Sequence, residues 1–150
     1  MSLCYNLFVM RIAKKNEKPF DMELFFAALA DNTRLRLLNL MRDSEICVCF
    51  FVEVIGTNQP KISRHLAYLR KAGIVAARRE GIWAHYRIVE PENERAAKVL
   101  REILDWLKEN KSMRRDFLQM SKICCAPPPQ QPISIQGAPL PKKIKERAAL

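Results

Sequence analysis

Gly56-Thr57-Asn58-Gln59-Pro60-Lys61-Ile62-Ser63-Arg64-His65-Leu66-Ala67-Tyr68-Leu69-Arg70-Lys71-Ala72-Gly73 is the stretch that decides the fold. One glycine opens it and another closes it. Between them Ile62, Leu66 and Leu69 recur at spacings of four and three, the period of a single helix face. Just upstream, the apolar segment Ile46–Ile55 is long enough for a second short helix, so the unit reads as helix, Gly-containing turn, helix. In such a pair the second helix must bury one face on the first and keep the opposite face free. Gln59, Lys61, Ser63, Arg64, His65 and Tyr68 occupy that free face and its flanks. They mix side chains that hydrogen-bond base edges with side chains that neutralise phosphates. A polar stripe on a surface helix is ordinarily only solvated, so its neighbours decide the reading. A lone histidine such as His65 is as often a packing residue as a contact.

The neighbours favour a DNA interface. Ile74–Arg79 and Trp83–Ile88 are β-prone runs on either side of Glu80-Gly81, a hairpin whose turn the glycine permits. Arg78 and Arg79 sit beside that turn, as in a wing that touches the DNA backbone or minor groove. Before the central pair, Met22–Ala30 and the Leu35, Leu38, Leu40 run predict two helices, with Asp31-Asn32-Thr33 supplying N-cap types between them. After the hairpin, Ala97, Leu100, Ile103, Leu104 and Leu107 form a helical seam. The expected fold is mainly α with a small β-hairpin wing (α+β), a winged helix-turn-helix in the order α-α-α-α-β-β-α. The seam, joined by Phe25, Phe26 and Leu29, is buried either in the chain's own core or against a second copy in a homodimer.

The chain has 150 residues, the size of one domain with tails, and a formal net charge of +10, which points to a polyanionic partner. Residues 59–90 carry seven basic and two acidic residues, although more than half of the excess lies in the two ends. Three parts are expected: an N-terminal extension over 1–20, the winged helix-turn-helix domain with its dimerisation helices over 21–122, and a cysteine pair with a tail over 123–150. Six of the nine prolines fall between 127 and 141, so the tail is expected to be disordered. The longest apolar run, Ile46 to Val52, is far short of the roughly 20 residues of a membrane-spanning helix, so no membrane association is expected. The apolar start Met1–Met10 has neither a basic lead nor a cleavage site, which predicts a cytoplasmic protein.

Five cysteines, Cys4, Cys47, Cys49, Cys124 and Cys125, make an odd count with two close pairs, unlike a secreted disulfide framework. Thiolates are soft ligands and favour thiophilic ions. On an ideal helix residues two apart diverge by about 200°, so Cys47 and Cys49 share an ion only if the first turn unwinds. That unwinding would disturb the element ahead of the recognition helix and weaken DNA binding by linkage. Against this, a free cysteine is often a small buried hydrophobe. The adjacent Cys124 and Cys125 suit ion binding better than a strained mutual disulfide, or are incidental at the edge of a tail. Both histidines, His65 and His85, fall in the DNA-binding half, so a His-rich zinc site on the last helix is not expected.

The segments Ala28-Leu29-Ala30-Asp31-Asn32-Thr33-Arg34-Leu35-Arg36-Leu37-Leu38, Glu45-Ile46-Cys47-Val48-Cys49 and Gln59-Pro60-Lys61-Ile62-Ser63-Arg64-His65-Leu66 resemble the ArsR/SmtB family of winged-helix repressors, in its arsenic-responsive ArsR type. The resemblance covers about residues 22–120, with the three segments in family order and spacing. It implies a homodimeric repressor on an inverted-repeat operator in double-stranded DNA, released when trivalent arsenic, as arsenite or methylarsenite, binds cysteine thiolates. By resemblance Cys47 and Cys49 are the ligands. The family's frequent third cysteine, three residues after the second, is Val52 here, so a local three-thiolate site cannot form. Two thiolates alone suit a monomethylated arsenical. Cys124 or Cys125 is the candidate for a third sulfur, and zinc or cadmium at the thiols is the weaker alternative. Two rivals stand beside this reading. One is a repressor switched by disulfide formation. The other is a thiol reductase with a nucleophile and a resolving cysteine, for which the chain has neither a Cys-x-x-Cys motif in a βαβ unit nor a nearby histidine base.

Overall fold

The computed structural model describes residues 19–144. The extension read over 1–20, with Cys4, therefore lies outside the described residues apart from Pro19 and Phe20. The chain begins with α1 (Met22–Leu29) and α2 (Asn32–Met41). Each starts where an aspartate caps it: Asp21 Oδ1 accepts from the Leu24 N–H and Asp31 Oδ1 from the Arg34 N–H, both at 2.9 Å. A short strand β1 (Ser44–Cys47) leads directly into α3 (Val48–Ile55), and α4 (Gln59–Lys71) follows. Gly56, at φ 72°, ends α3 in the left-handed conformation that glycine adopts without strain. Asn58 then caps α4, its Oδ1 taking the Lys61 N–H at 3.0 Å. The wing is β2 (Val75–Glu80) and β3 (Trp83–Ile88), turning through Gly81. Helices α5 (Glu94–Glu109) and α6 (Lys111–Cys125), two 3₁₀ turns and β4 (Lys142–Lys143) complete the chain.

The core joins every layer. Phe25 of α1, Leu37 and Leu38 of α2, Phe50 and Phe51 of α3, Ile62, Leu66 and Leu69 of α4, and Leu100 of α5 are all essentially inaccessible. The sheet is antiparallel with strand order β2-β3-β1-β4. This is a winged helix-turn-helix, and among the described residues no helix is long and apolar enough to cross a membrane.

Four features differ from the sequence expectation. The apolar segment from Ile46 to Ile55 is not all helix, because Ile46 and Cys47 pair with Tyr86 and His85 of β3; cross-strand pairing overrides the helical continuation. The final helix is two, interrupted at Asn110, whose Oδ1 takes the N–H groups of Ser112 and Met113 at 2.9 and 3.2 Å. Helix α6 then folds back on α2, where Arg36 grips Asp116 through two bonds of 2.6 and 3.0 Å and the Asn39 amide donates to the Met113 carbonyl at 2.8 Å. Ala97, Leu100 and Leu104 of the seam are buried within the chain, one of the two alternatives open to it, while Ile103 and Leu107 stay partly exposed.

The fourth difference is the tail. Residues 126–144 lie along the domain as a strap rather than standing disordered. The 3₁₀ turn Ile133–Ile135 packs on α3, with Ile135 only 1% exposed and the Ser134 hydroxyl donating to Glu53 at 2.6 Å. β4 then extends the sheet by pairing Ser44 with Lys143 and Glu45 with Lys142. Proline composition argues against helix but not against an extended strap, since a residue with φ already fixed loses less entropy on ordering.

Candidate nucleic-acid interface and thiol site

Helix α4 presents the face its periodicity promised. Ile62, Leu66 and Leu69 are fully buried, whereas Gln59, Lys61 and Arg64 are exposed and Ser63 is half-buried. Pro60 in the first turn removes an N–H that has no helical partner anyway. His65 is turned inward: its Nδ1 lies 3.5 Å from Asp31 Oδ1, the cap of α2. It therefore ties α4 to α2, with its side chain still partly exposed. Arg34, which the sequence did not single out, supports the same junction. Its guanidinium donates to the carbonyls of Ala28 and Ala27 at 2.7 and 2.8 Å and lies 4.4 Å over the Tyr68 ring.

The two wing arginines are not equivalent. Arg79 is exposed beside the turn. Arg78 Nε donates to Glu45 Oε1 at 3.0 Å, with Nη2 on the same oxygen, and Nη1 reaches Glu80 at 3.3 Å. The Arg78 bond holds the Glu45 carboxyl below its ordinary pKa. Glu45 was not marked as a site residue by sequence reasoning. The signal was its place two residues before Cys47, which puts both side chains on one face once the segment is a strand.

Cys47 and Cys49 are both buried. Cys47 is the last residue of β1 and the N-cap of α3, with extended backbone at φ −68° and ψ 141°. Cys49 falls in the first helical turn. The change of backbone between them brings the sulfurs to 3.2 Å, the Cys49 thiol donating to Cys47. No unwinding is needed, which corrects the expectation based on an ideal helix. The hydrogen bond stabilises a thiolate on Cys47 and lowers its pKa from 9.0 to about 7, and it raises that of Cys49. Cys47 is thus the member of the pair that ionises first.

Cys124 and Cys125, the last two residues of α6, do not join them. Among the described residues no three His, Cys, Asp or Glu side chains gather as an ion site. Burial pushes the Cys124 thiol up to about 11, which keeps it protonated and disfavours it as a ligand. Cys125 is exposed.

A helix-turn-helix with an exposed basic recognition face, followed by a wing, now stands beside a converged thiol pair. The family model described as bacterial regulatory protein, arsR family, matches residues 31–77. The arsenical resistance operon repressor of Escherichia coli (strain K12) is 36% identical over 102 residues, covering 67% of this chain and 86% of that protein. The chain belongs to the ArsR family. As an ArsR-family protein it is a DNA-binding regulator of transcription and not an enzyme, so the reductase alternative falls away. The arsenic resistance transcriptional regulator ArsR1 of Pseudomonas putida is 50% identical over 66 residues, 43% of this chain. The match spans about half of that relative, 52% of its length. Among solved structures, the AntR antimony-specific transcriptional repressor aligns at a TM-score of 0.46 and 29% identity, over 64% of this chain and 90% of that one.

Proposed function

We propose that this ArsR-family protein is a homodimeric repressor that binds an inverted-repeat operator and leaves it when trivalent arsenic is captured by Cys47 and Cys49. The observation that carries the reading is the 3.2 Å approach of two buried sulfurs at the start of α3, the first helix of the helix-turn-helix. Two sulfurs at that separation, each about 2.3 Å from a shared centre as in thiolate–zinc bonds, subtend about 90°. That angle suits a pyramidal centre with a lone pair better than the wider tetrahedral angle of zinc or cadmium. With Val52 where a third sulfur would stand, and Cys124 and Cys125 elsewhere, the donor set among the described residues of one chain has two members. It matches methylarsenite, which has two exchangeable positions. Inorganic arsenite would need a further donor from outside the pair.

Gln59, Lys61, Ser63 and Arg64 would read and hold the major groove while Arg79 meets the backbone beside it. Dimerisation falls to the apolar surface that the fold leaves open. Met22 and Phe26 of α1 and Trp106 of α5 are 63%, 50% and 74% exposed, beside a groove of about 350 Å³ lined by Leu29, Leu35, Ile103 and Leu107 among others. A dimer on an inverted repeat would need its two recognition helices about 34 Å apart, one turn of B-DNA.

The test is release of protein from an inverted-repeat duplex selected by binding from a random pool, under reducing conditions. Methylarsenite is expected to release the wild type and to leave Cys47→Ser and Cys49→Ser bound, while the double variant Cys124→Ser/Cys125→Ser responds normally. A methylarsenite response retained by both single variants refutes the reading. The lowered pKa of Cys47 also favours a second reading, in which peroxide oxidises the two thiols to a disulfide with loss of two waters. Release by peroxide and none by arsenicals would select it.

A further inference from the structure

Glu45 and Cys47 share one face of β1, a strand of four residues. The Glu45 side chain is only 12% exposed, yet it gathers two wing arginines: Arg78 through both Nε and Nη2, and Arg87 with its Nε 3.8 Å away. Glu80 takes the other edge of Arg78 and lies 3.3 Å from Nε2 of the buried His85. Arg78, which the sequence offered with Arg79 as a phosphate contact, has its guanidinium held by carboxylates instead. The strand that carries Glu45 is joined to the wing by just two pairs, Ile46 with Tyr86 and Cys47 with His85. One of those pairs runs through the thiol residue itself. A ligand on Cys47 and the carboxylate on Arg78 therefore act on the same short lever.

We infer that Glu45 competes with DNA for the wing arginine and so couples the thiol site to the operator. Clamped by Glu45, Arg78 is withheld from the backbone; freed, it pairs with a phosphate. Ligation of Cys47 and Cys49 fixes β1 and favours the clamped arrangement, so a thiol ligand and DNA oppose each other through one ion pair. The second half of this statement rests on the proposed inducer; the first half does not. An exposed ion pair is worth little in itself, but a choice of partner for Arg78 changes how many phosphates the protein neutralises.

The test uses the full-length, reduced protein and the selected duplex, with Glu45→Gln as an isosteric change that removes the charge. Without arsenical, Glu45→Gln is expected to bind DNA about 3- to 10-fold more tightly. Its plot of log K against log salt should steepen by a fraction of the roughly 0.9 that one phosphate contact contributes, because the unligated wild type makes that contact only part of the time. Arg78→Gln should erase both differences. With methylarsenite, the fold-loss of affinity should shrink in Glu45→Gln while both thiols still titrate. Glu45→Asp, one methylene shorter, should fall between the two if the amide variant folds poorly. An unchanged salt slope in both variants overturns the competition and leaves Glu45 as a mere fastening of the wing. If the slope shifts but methylarsenite fails to release the wild type, the inducer reading fails and the competition stands. If the wild type and Glu45→Gln are released by equal factors, the coupling fails and the inducer reading stands.

Discussion

Replacing Cys49 by alanine removes the S–H that donates to Cys47 across 3.2 Å and leaves the rest of the first turn in place. In the folded protein that donor is the largest cause of the fall in Cys47 pKa from 9.0 to about 7, and burial opposes it. Losing the donor should raise the midpoint toward that of an ordinary thiol. A full return across those two pH units would correspond to roughly 3 kcal/mol of selective support for the thiolate. At pH 7 the ionised fraction falls from about half to about 1%. A thiolate of higher pKa is intrinsically more nucleophilic, so the alkylation rate drops only about sixfold. The midpoint is therefore the better readout. The assay is thiolate ultraviolet absorbance against pH, in a background with Cys4, Cys124 and Cys125 changed to serine. Cys49→Ser, whose hydroxyl still donates, should keep the midpoint low. Stability should follow with the same sign. The folded Cys47 loses its proton more readily than the unfolded thiol, so stability rises from about pH 7 to about 9. Above that it declines, because Cys49 is held protonated in the fold but ionises when unfolded. An identical midpoint in the wild type and Cys49→Ala refutes the reasoning, since the pair would then be a packing contact without an electrostatic consequence.

Three further outcomes follow from the same geometry. Ile135→Asp places a charge at a site 1% exposed and should cost about 2–4 kcal/mol in urea unfolding; a change below about 0.5 kcal/mol would mean the strap is not docked. Asp116→Ala leaves Arg36 without its two bonds at the α2–α6 contact and should cost about 2 kcal/mol, largely recovered in Arg36→Leu/Asp116→Leu, as a double-mutant cycle would show. Lys61→Ala and Arg64→Ala should each weaken operator binding and flatten the salt dependence by about 0.9, whereas His65→Ala, which removes an inward-facing side chain, should lower stability with little change of slope.

What was legible in the sequence was whatever depends on periodicity and on residues that punctuate a chain. Ile62, Leu66 and Leu69 with Gly56 and Gly73 fix α4, and the alternation around Gly81 fixes the wing, because these signals are local and strong. The cap at Asp31 was readable for the same reason. The break at Asn110 also had a signal, an N-cap residue type after Leu107, but the seam's spacing concealed it. The strap was missed because composition averages over the residues that matter: Ile135 and Ala138 are two apolar side chains among prolines and glutamines, and both pack against the core.

The thiol pair shows the limit of periodicity most clearly. Cys47-Val48-Cys49 marks the right residues, but the geometry inferred from it depends on the secondary structure assigned to them. In a helix the two sulfurs diverge; in a strand they share a face with Cβ atoms nearly 7 Å apart. Neither regular period brings them to 3.2 Å. The junction does, with Cys47 extended and Cys49 helical, and it exists because the distant His85 and Tyr86 pull Ile46 and Cys47 into the sheet. The wing therefore shapes the thiol site through backbone pairing, and through Glu45 the thiol site holds a wing arginine. The two halves that the sequence kept apart, a sensor ahead of α4 and a hairpin behind it, are one sheet. Cys47 pairs with His85 in that sheet, and Glu45, two residues before it, holds Arg78.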